Sequence, residues 1–100
     1  MNIAIASEGK TKESEISERG ARAPYYLIFK DGKLLKSIQN PFQSGGGGAG
    51  FAVPSMLADE KVEFVVGRHF GDNMTGALES HHIQWKIVEP ITVEKALKDL

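Results

Sequence analysis

Tyr25-Tyr26-Leu27-Ile28-Phe29-Lys30-Asp31-Gly32-Lys33-Leu34-Leu35-Lys36-Ser37-Ile38 reads as two strands folded back on each other. The first half is rich in aromatic and branched side chains, which suit a pleated, half-buried surface. Asp31-Gly32 supplies a two-residue hairpin turn, whose central positions need the left-handed backbone that Asp and Gly tolerate. The two strands are therefore antiparallel. Tyr25 and Tyr26 alternate across the sheet, so one packs inward and the other borders the loop before it.

Upstream, Ile3-Ala4-Ile5-Ala6 is a short apolar run ending at Ser7 and reads as a first strand. Downstream, Phe51 to Glu60 carries Val53, Met56, Leu57 and Ala58 at the spacing of one helix face. Pro54 cannot donate an interior hydrogen bond, which places it in the first turn and the helix start near Phe51 to Val53. Val62 to Val66 is a buried strand, Asp72 caps a helix running to about His81, and Ile83 to Val88 is a further strand. Thr92 caps a last helix on which Val93, Ala96, Leu97 and Leu100 repeat at i, i+3, i+4 and i+7. The order is β-β-β-α-β-α-β-α. Phe64 and Trp85 read as core residues on strands.

With strands one, three, four and five parallel and strand two reversed, the segments 7–24, 39–50, 67–72 and 89–91 emerge at one edge of the sheet. All three helices begin there. Open α/β sheets take ligands outside the carboxyl ends of their parallel strands, where helix starts add partial positive charge. Gly45-Gly46-Gly47-Gly48-Ala49-Gly50 falls in that crevice. Such a run packs poorly in any regular element, so its use is either backbone approach to a ligand or a flexible surface loop. Residues 7–24 form a long connection with Ile16 as the only large apolar residue, and they carry Arg19 and Arg22.

One hundred residues correspond to a single domain spanning 1–100. A net charge of -1 provides no global attraction to nucleic acid or an anionic membrane, and the chain's start lacks a basic leader followed by a long apolar segment. These features imply a cytoplasmic protein. The absence of cysteine removes thiol catalysis and thiolate metal ligands, leaving histidine, methionine, carboxylates and backbone oxygens.

Met1 to Ser7, the stretch Ser17-Glu18-Arg19-Gly20-Ala21-Arg22-Ala23-Pro24-Tyr25-Tyr26, the segment Asn40 to Gly50 and the turn Gly67 to Leu78 together resemble the dinitrogenase iron-molybdenum cofactor biosynthesis family. The resemblance covers nearly the whole chain and rests on the order and spacing of these motifs. It implies an α/β fold with a ribonuclease H-like motif, a mixed five-stranded sheet of order 3-2-1-4-5 and helices on its faces. Some members carry or protect an iron-molybdenum cofactor or its precursor, and another carries a molybdenum-copper-sulfide cluster. Two positions depart from the family pattern: Gly20-Ala21 stands where Phe-Gly is frequent, and Asp72 where Pro is frequent.

The resemblance implies a non-enzymatic carrier or assembly protein for an anionic metal-sulfur cluster. Cluster-assembly or acceptor proteins are its implied partners, with no role for nucleic acid or membrane. On that reading Gly46, Gly47, Gly48 and Gly50 offer backbone N–H groups to sulfide or oxyanion corners. Arg19 and Arg22 neutralise the cluster, and Asn73 hydrogen-bonds to it. His69 is the histidine placed to ligate metal, although it can equally be a surface residue beside Asp72. His81 shares a helical face with Met74, Ala77 and Leu78, and His82 is a poor chelating companion because adjacent helix positions face apart.

A binding module for a nucleotide or other small anion is the alternative. Gly45, Gly47 and Gly50 fit G-x-G-x-x-G, but the run does not directly follow a strand and lacks the Lys-Ser/Thr pair of a phosphate loop. Nuclease chemistry needs converging carboxylates, and Asn2 to Ser7 contains none. Nor do Ser7, Ser17, Ser44 and the histidines make a nucleophile-base-orienter set.

Overall fold

The computed structural model describes residues 1–45 and 47–100, so Gly46 lies outside the described residues. These form β1 (Asn2–Ser7), β2 (Tyr25–Lys30), β3 (Lys33–Gln39), α1 (Ala49–Asp59), β4 (Phe64–Gly67), α2 (Asp72–Ser80), β5 (Gln84–Ile87) and α3 (Val93–Lys98). The sheet order is β3-β2-β1-β4-β5. β2 is antiparallel to both β1 and β3, while β1, β4 and β5 are mutually parallel. The strand senses are those read from the sequence, and the order is the one the family resemblance implies. No helix among the described residues is long and apolar enough to cross a membrane.

The turn between β2 and β3 has φ of 52° at Asp31 and 79° at Gly32, the left-handed pair that a two-residue hairpin requires. The register jumps from Ile28 opposite Lys36 to Phe29 opposite Leu34, leaving Leu35 as the extra residue of a bulge. Such a bulge interrupts the regular hydrogen-bonding row of this outer strand.

Strand alternation sorts side chains onto two faces. Ala4, Ala6, Tyr26, Ile28 and Val65 pack with Val53 and Leu57 of α1 and with Met74 and Leu78 of α2. Ile5, Leu27, Phe29 and Val66 pack on the other face with Val93 and Ala96 of α3 and with Ile16. Ile16 is 1 % exposed, so the long first loop is anchored through its single large apolar residue. Tyr26 faces α1 and α2, whereas Tyr25 packs against the opposite core. Phe64 and Trp85 are only partly buried, and Leu100 is exposed, because the outer strand β5 and the short α3 leave their flanks open.

α1 begins at Ala49, earlier than Pro54 led us to expect. Gly48, at φ 95°, turns the chain into the helix, and its carbonyl accepts from Phe51 N at 3.1 Å and Ala52 N at 2.9 Å. The first turn is complete before Pro54 is reached. The buried proline then only deprives the Gly50 carbonyl of its usual partner. Asp72 is likewise not the cap of α2: Gly71 holds that position, and Asp72 lies inside the first turn. There its charge still favours the positive end of the helix.

α1 and α2 end alike. Val62 N reaches back to the Leu57 carbonyl at 3.1 Å, and Ile83 N to the Leu78 carbonyl at 2.8 Å, across Lys61 at φ 63° and His82 at φ 59°. This is the six-to-one closure usually built with glycine at the left-handed position. Each closure delivers a buried residue, Val62 or Ile83, to the start of the next strand. His82→Gly is expected to stabilise the protein by about 0.5–1 kcal/mol by relieving its left-handed backbone. Thermal unfolding checks this, and a lower melting temperature would contradict it. His81 is exposed at the end of α2, so it does not complete a buried stripe.

Candidate functional site

Ser17, the first anchor of the arginine loop, donates its backbone N–H to the Ala6 carbonyl at 2.9 Å and accepts from Arg19 N through its hydroxyl at 3.1 Å. Gly20 then crosses the turn after β4. A β-carbon there would lie 2.2 Å from the His69 carbonyl oxygen and 2.8 Å from Phe70 Cδ1. The buried Tyr26 hydroxyl donates to the Gly20 carbonyl at 2.6 Å, so this crossing is held from below as well. Burial pushes the Tyr26 phenol up from its ordinary range, keeping it a donor.

Asn40 joins the next two segments. It is 3 % exposed, donates through Nδ2 to the Ala21 carbonyl at 2.9 Å and the Ala23 carbonyl at 2.8 Å, and accepts from Phe42 N at 2.9 Å. Arg22, between those two carbonyls, returns the link by donating Nη1 to the Phe42 carbonyl at 2.9 Å. Asn40 and Arg22 thus close a ring between the arginine loop and the chain leading into the glycine run. Sequence reasoning placed Asn40 only within a motif. The local signal was Asn40-Pro41, a turn-initiating pair whose amide caps the residue two ahead.

The glycine run enters α1 beside the start of α2. A β-carbon at Gly50 would lie 3.0 Å from Asn73 Cβ and 3.3 Å from Met74 N, so the two helix starts touch. Gly45 and Gly48 have φ of 113° and 95°, and a β-carbon at Gly45, Gly47 or Gly48 would meet nothing within 4 Å. The backbone here is therefore both turned and accessible to an approaching group. Among the described residues no side chain caps α1 or α2. α3 contrasts with both: its first amides, Val93 N and Glu94 N, donate to the Ser14 and Lys12 carbonyls, and Lys95 N donates to Thr92 Oγ1. The chain closes one helix start itself and leaves the side-chain caps off the other two.

The two arginines separate. Arg22 reaches the Phe42 carbonyl, on the chain leading into the glycine run, whereas Arg19 lies in a hollow shared with Glu8, Glu15, Ile16, Glu18 and Arg68, on the α3 side of the sheet. Its guanidinium is 3.9 Å from Glu8, and Arg68 is 3.7 Å from Glu18. His69 is exposed on the turn whose carbonyl abuts Gly20. Among the described residues no group of three His, Asp or Glu side chains is gathered as a metal site. Asn73 and Asp72 line a second hollow with Phe51, Gly76, Ala77, Ser80 and His81, between the two helix starts and along α2.

The model of the dinitrogenase iron-molybdenum cofactor family matches residues 1–100. The chain belongs to this family. Solved structures that share its fold include the following three. The apo form of the orange protein from Desulfovibrio gigas superimposes with a TM-score of 0.90 at 22% identity, over 97% of this chain and 83% of that one. A putative NifB protein from Thermotoga gives a TM-score of 0.83 at 28% identity, over 97% and 84%. The protein PH0822 gives 0.79 at 16% identity, over 98% and 87%. A search of curated protein sequences finds no match. Membership of the dinitrogenase iron-molybdenum cofactor family joins this fold to small proteins associated with that cofactor.

Proposed function

We propose that this protein binds an anionic metal-sulfur cluster, an iron-molybdenum cofactor or a related molybdenum-sulfur precursor, as cargo, and passes it to an assembly or acceptor protein without transforming it. The observation that carries this reading is the pair of touching helix starts, α1 and α2, that lack side-chain caps beneath an accessible glycine turn. Aligned peptide dipoles make such a place favourable to negative charge.

The residues present suit a preassembled cargo. Sulfide and oxyanion corners accept hydrogen bonds, which backbone N–H groups, the Arg22 guanidinium and the Asn73 amide can donate. Thiolate ligation is impossible in a chain without cysteine, and the sequence's candidate for a direct ligand is the harder imidazole of His69. Family membership supports this choice of cargo. The D. gigas neighbour, described as an apo form, is a protein that exists apart from its bound group.

Anaerobic titration with tetrathiomolybdate, followed by gel filtration, tests the proposal through the visible spectrum and the molybdenum that travels with the protein. We expect saturable binding that Asn73→Asp weakens about tenfold at low ionic strength, since one added negative charge opposes a dianion. The same substitution places a carboxylate in the first turn of α2, where it favours the helix, so weaker binding would not reflect lost folding. Equal binding by the two proteins, or tight nucleotide binding with no thiomolybdate binding, would overturn the proposal.

A further inference from the structure

β3 and β5 form the two ends of the sheet, and they are built differently. β3 carries the Leu35 bulge, and its Lys36 is held by Glu60 at 2.9 Å, both of which discourage a further strand. β5 pairs with β4 in unbroken register from Gln84 to Ile87, with no bulge and no proline. Gln84 N and Val88 N donate inward, to the Glu63 carbonyl at 3.1 Å and the Gly67 carbonyl at 2.9 Å. Alternation along the strand therefore turns the peptide groups of Trp85 and Ile87 outward, where no strand of the chain meets them. Ile87 is also 50 % exposed. An open hydrogen-bonding row and an apolar side chain thus coincide at this edge.

The charges beside the edge indicate what covers it. A hollow on the α3 side of β5 sets Lys86, Glu89, Lys95 and Asp99 around Val88 and Ala96. Among the described residues none of these four charges belongs to an ion pair. They sum to zero, so a strongly basic or acidic partner finds no net attraction here, whereas a two-fold copy can set each cation near an anion. We infer that β5 pairs antiparallel with β5 of a second copy of this chain, about a two-fold axis at Ile87, joining the two sheets into one. That axis sets Ile87 opposite Ile87, Lys86 opposite Val88 and Trp85 opposite Glu89. An axis at Lys86 would oppose like charges, and one at Val88 would carry the pairing into the bend at Pro90. An axis at Trp85 would call on the Ile83 N–H, already given to the Leu78 carbonyl at 2.8 Å. Because the paired edges run in opposite directions, the two carboxyl-edge crevices face away from each other and both stay open.

A four-residue edge makes a small interface, so the association is weak and concentration-dependent. Sedimentation of the protein without cargo, from micromolar to millimolar, should show monomer and dimer in equilibrium, whether or not a cluster binds. Ile87→Pro removes the outward N–H and no bond to β4, at a position where an edge strand tolerates proline. It should raise the dissociation constant about thirtyfold, through two lost hydrogen bonds between the copies, and leave the melting temperature close to the parent's. The chain has no cysteine, so Ile87→Cys gives a second reading that does not depend on the proline variant. Mild oxidation should cross-link it at the axis far faster than Leu34→Cys, which tests the equally exposed far edge on β3. A protein that stays monomeric to millimolar concentration, a dimer that a folded Ile87→Pro leaves intact, or equal cross-linking of the two cysteine variants would overturn the pairing.

Discussion

Gly20→Ala should destabilise the protein by about 3 kcal/mol, because the new methyl has nowhere to go. Its β-carbon would fall 2.2 Å from the His69 carbonyl oxygen, a backbone atom, and 2.8 Å from the Phe70 ring. Side-chain rotation cannot clear such an overlap, so either the arginine loop or the turn after β4 must move. The loop resists, since the Gly20 carbonyl is held by Tyr26 at 2.6 Å and Asn40 holds the neighbouring Ala21 carbonyl at 2.9 Å. For a domain of this size the loss corresponds to a fall of about 15 °C in melting temperature. Gly47→Ala is the matched comparison, because a β-carbon there meets nothing within 4 Å. Thermal unfolding of both variants decides the matter: a Gly20→Ala protein that melts within a degree or two of Gly47→Ala would show that the crossing is looser than described.

The second large effect belongs to Asn40. Asn40→Ala removes two donated bonds and one accepted bond at a nearly closed site. The Ala21 and Ala23 carbonyls and Phe42 N–H each lose a partner, at an expected total of about 3 kcal/mol. The effect of Asn40→Asp depends on pH. Its carboxylate would turn an oxygen toward two carbonyl oxygens, which raises its folded-state pKa above the unfolded value of about 3.9. The penalty is therefore present at neutral pH and relieved as pH falls toward and below about 4, where the protonated acid can donate again. Denaturant midpoints for the two variants at pH 7 and pH 4 provide the measurement. An Asn40→Asp protein that gains nothing on the parent at the lower pH would contradict the assigned orientation of the amide.

Much of this architecture was legible because local and long-range preferences agree. Asp31-Gly32 admits one kind of connection between its flanking strands, and Thr92 followed by the Val93, Ala96 spacing marks a helix start and its buried face. The misreadings occur where a strong local rule met a tertiary alternative. Pro54 argued for a later α1, but Gly48 had already made the turn and the helix carries the proline in its second turn. Asp72 looks like a cap by type, yet the extended backbone that a cap needs belongs to Gly71.

Within the candidate site, the glycine run and Asn73 could be associated from strand order alone, since all three helices must start at one edge. The separation of Arg19 from Arg22 could not. It depends on Ile16 pulling the early loop toward α3 while Asn40 ties the later part toward α1. Asn40 itself was hidden because a polar residue beside a proline looks like an exposed turn, and only the fold shows which carbonyls its amide meets. Gly20 has the same character. Its position in a motif was visible, but the backbone pressing against it comes from a segment nearly fifty residues away.

The closure of α3 has a dynamic consequence. Its first amides are bound by Ser14 and Lys12, Ile16 N donates to the Ile91 carbonyl at 3.0 Å, and Glu15 bridges Thr92. A helix of this length has little persistence of its own. The early loop and the C-terminal helix therefore behave as one cooperative unit, opening and closing together although they stand at opposite ends of the chain. Protection of their amides against solvent exchange should be shared, so the mobility available to the loop bearing Arg19 is set from the far terminus.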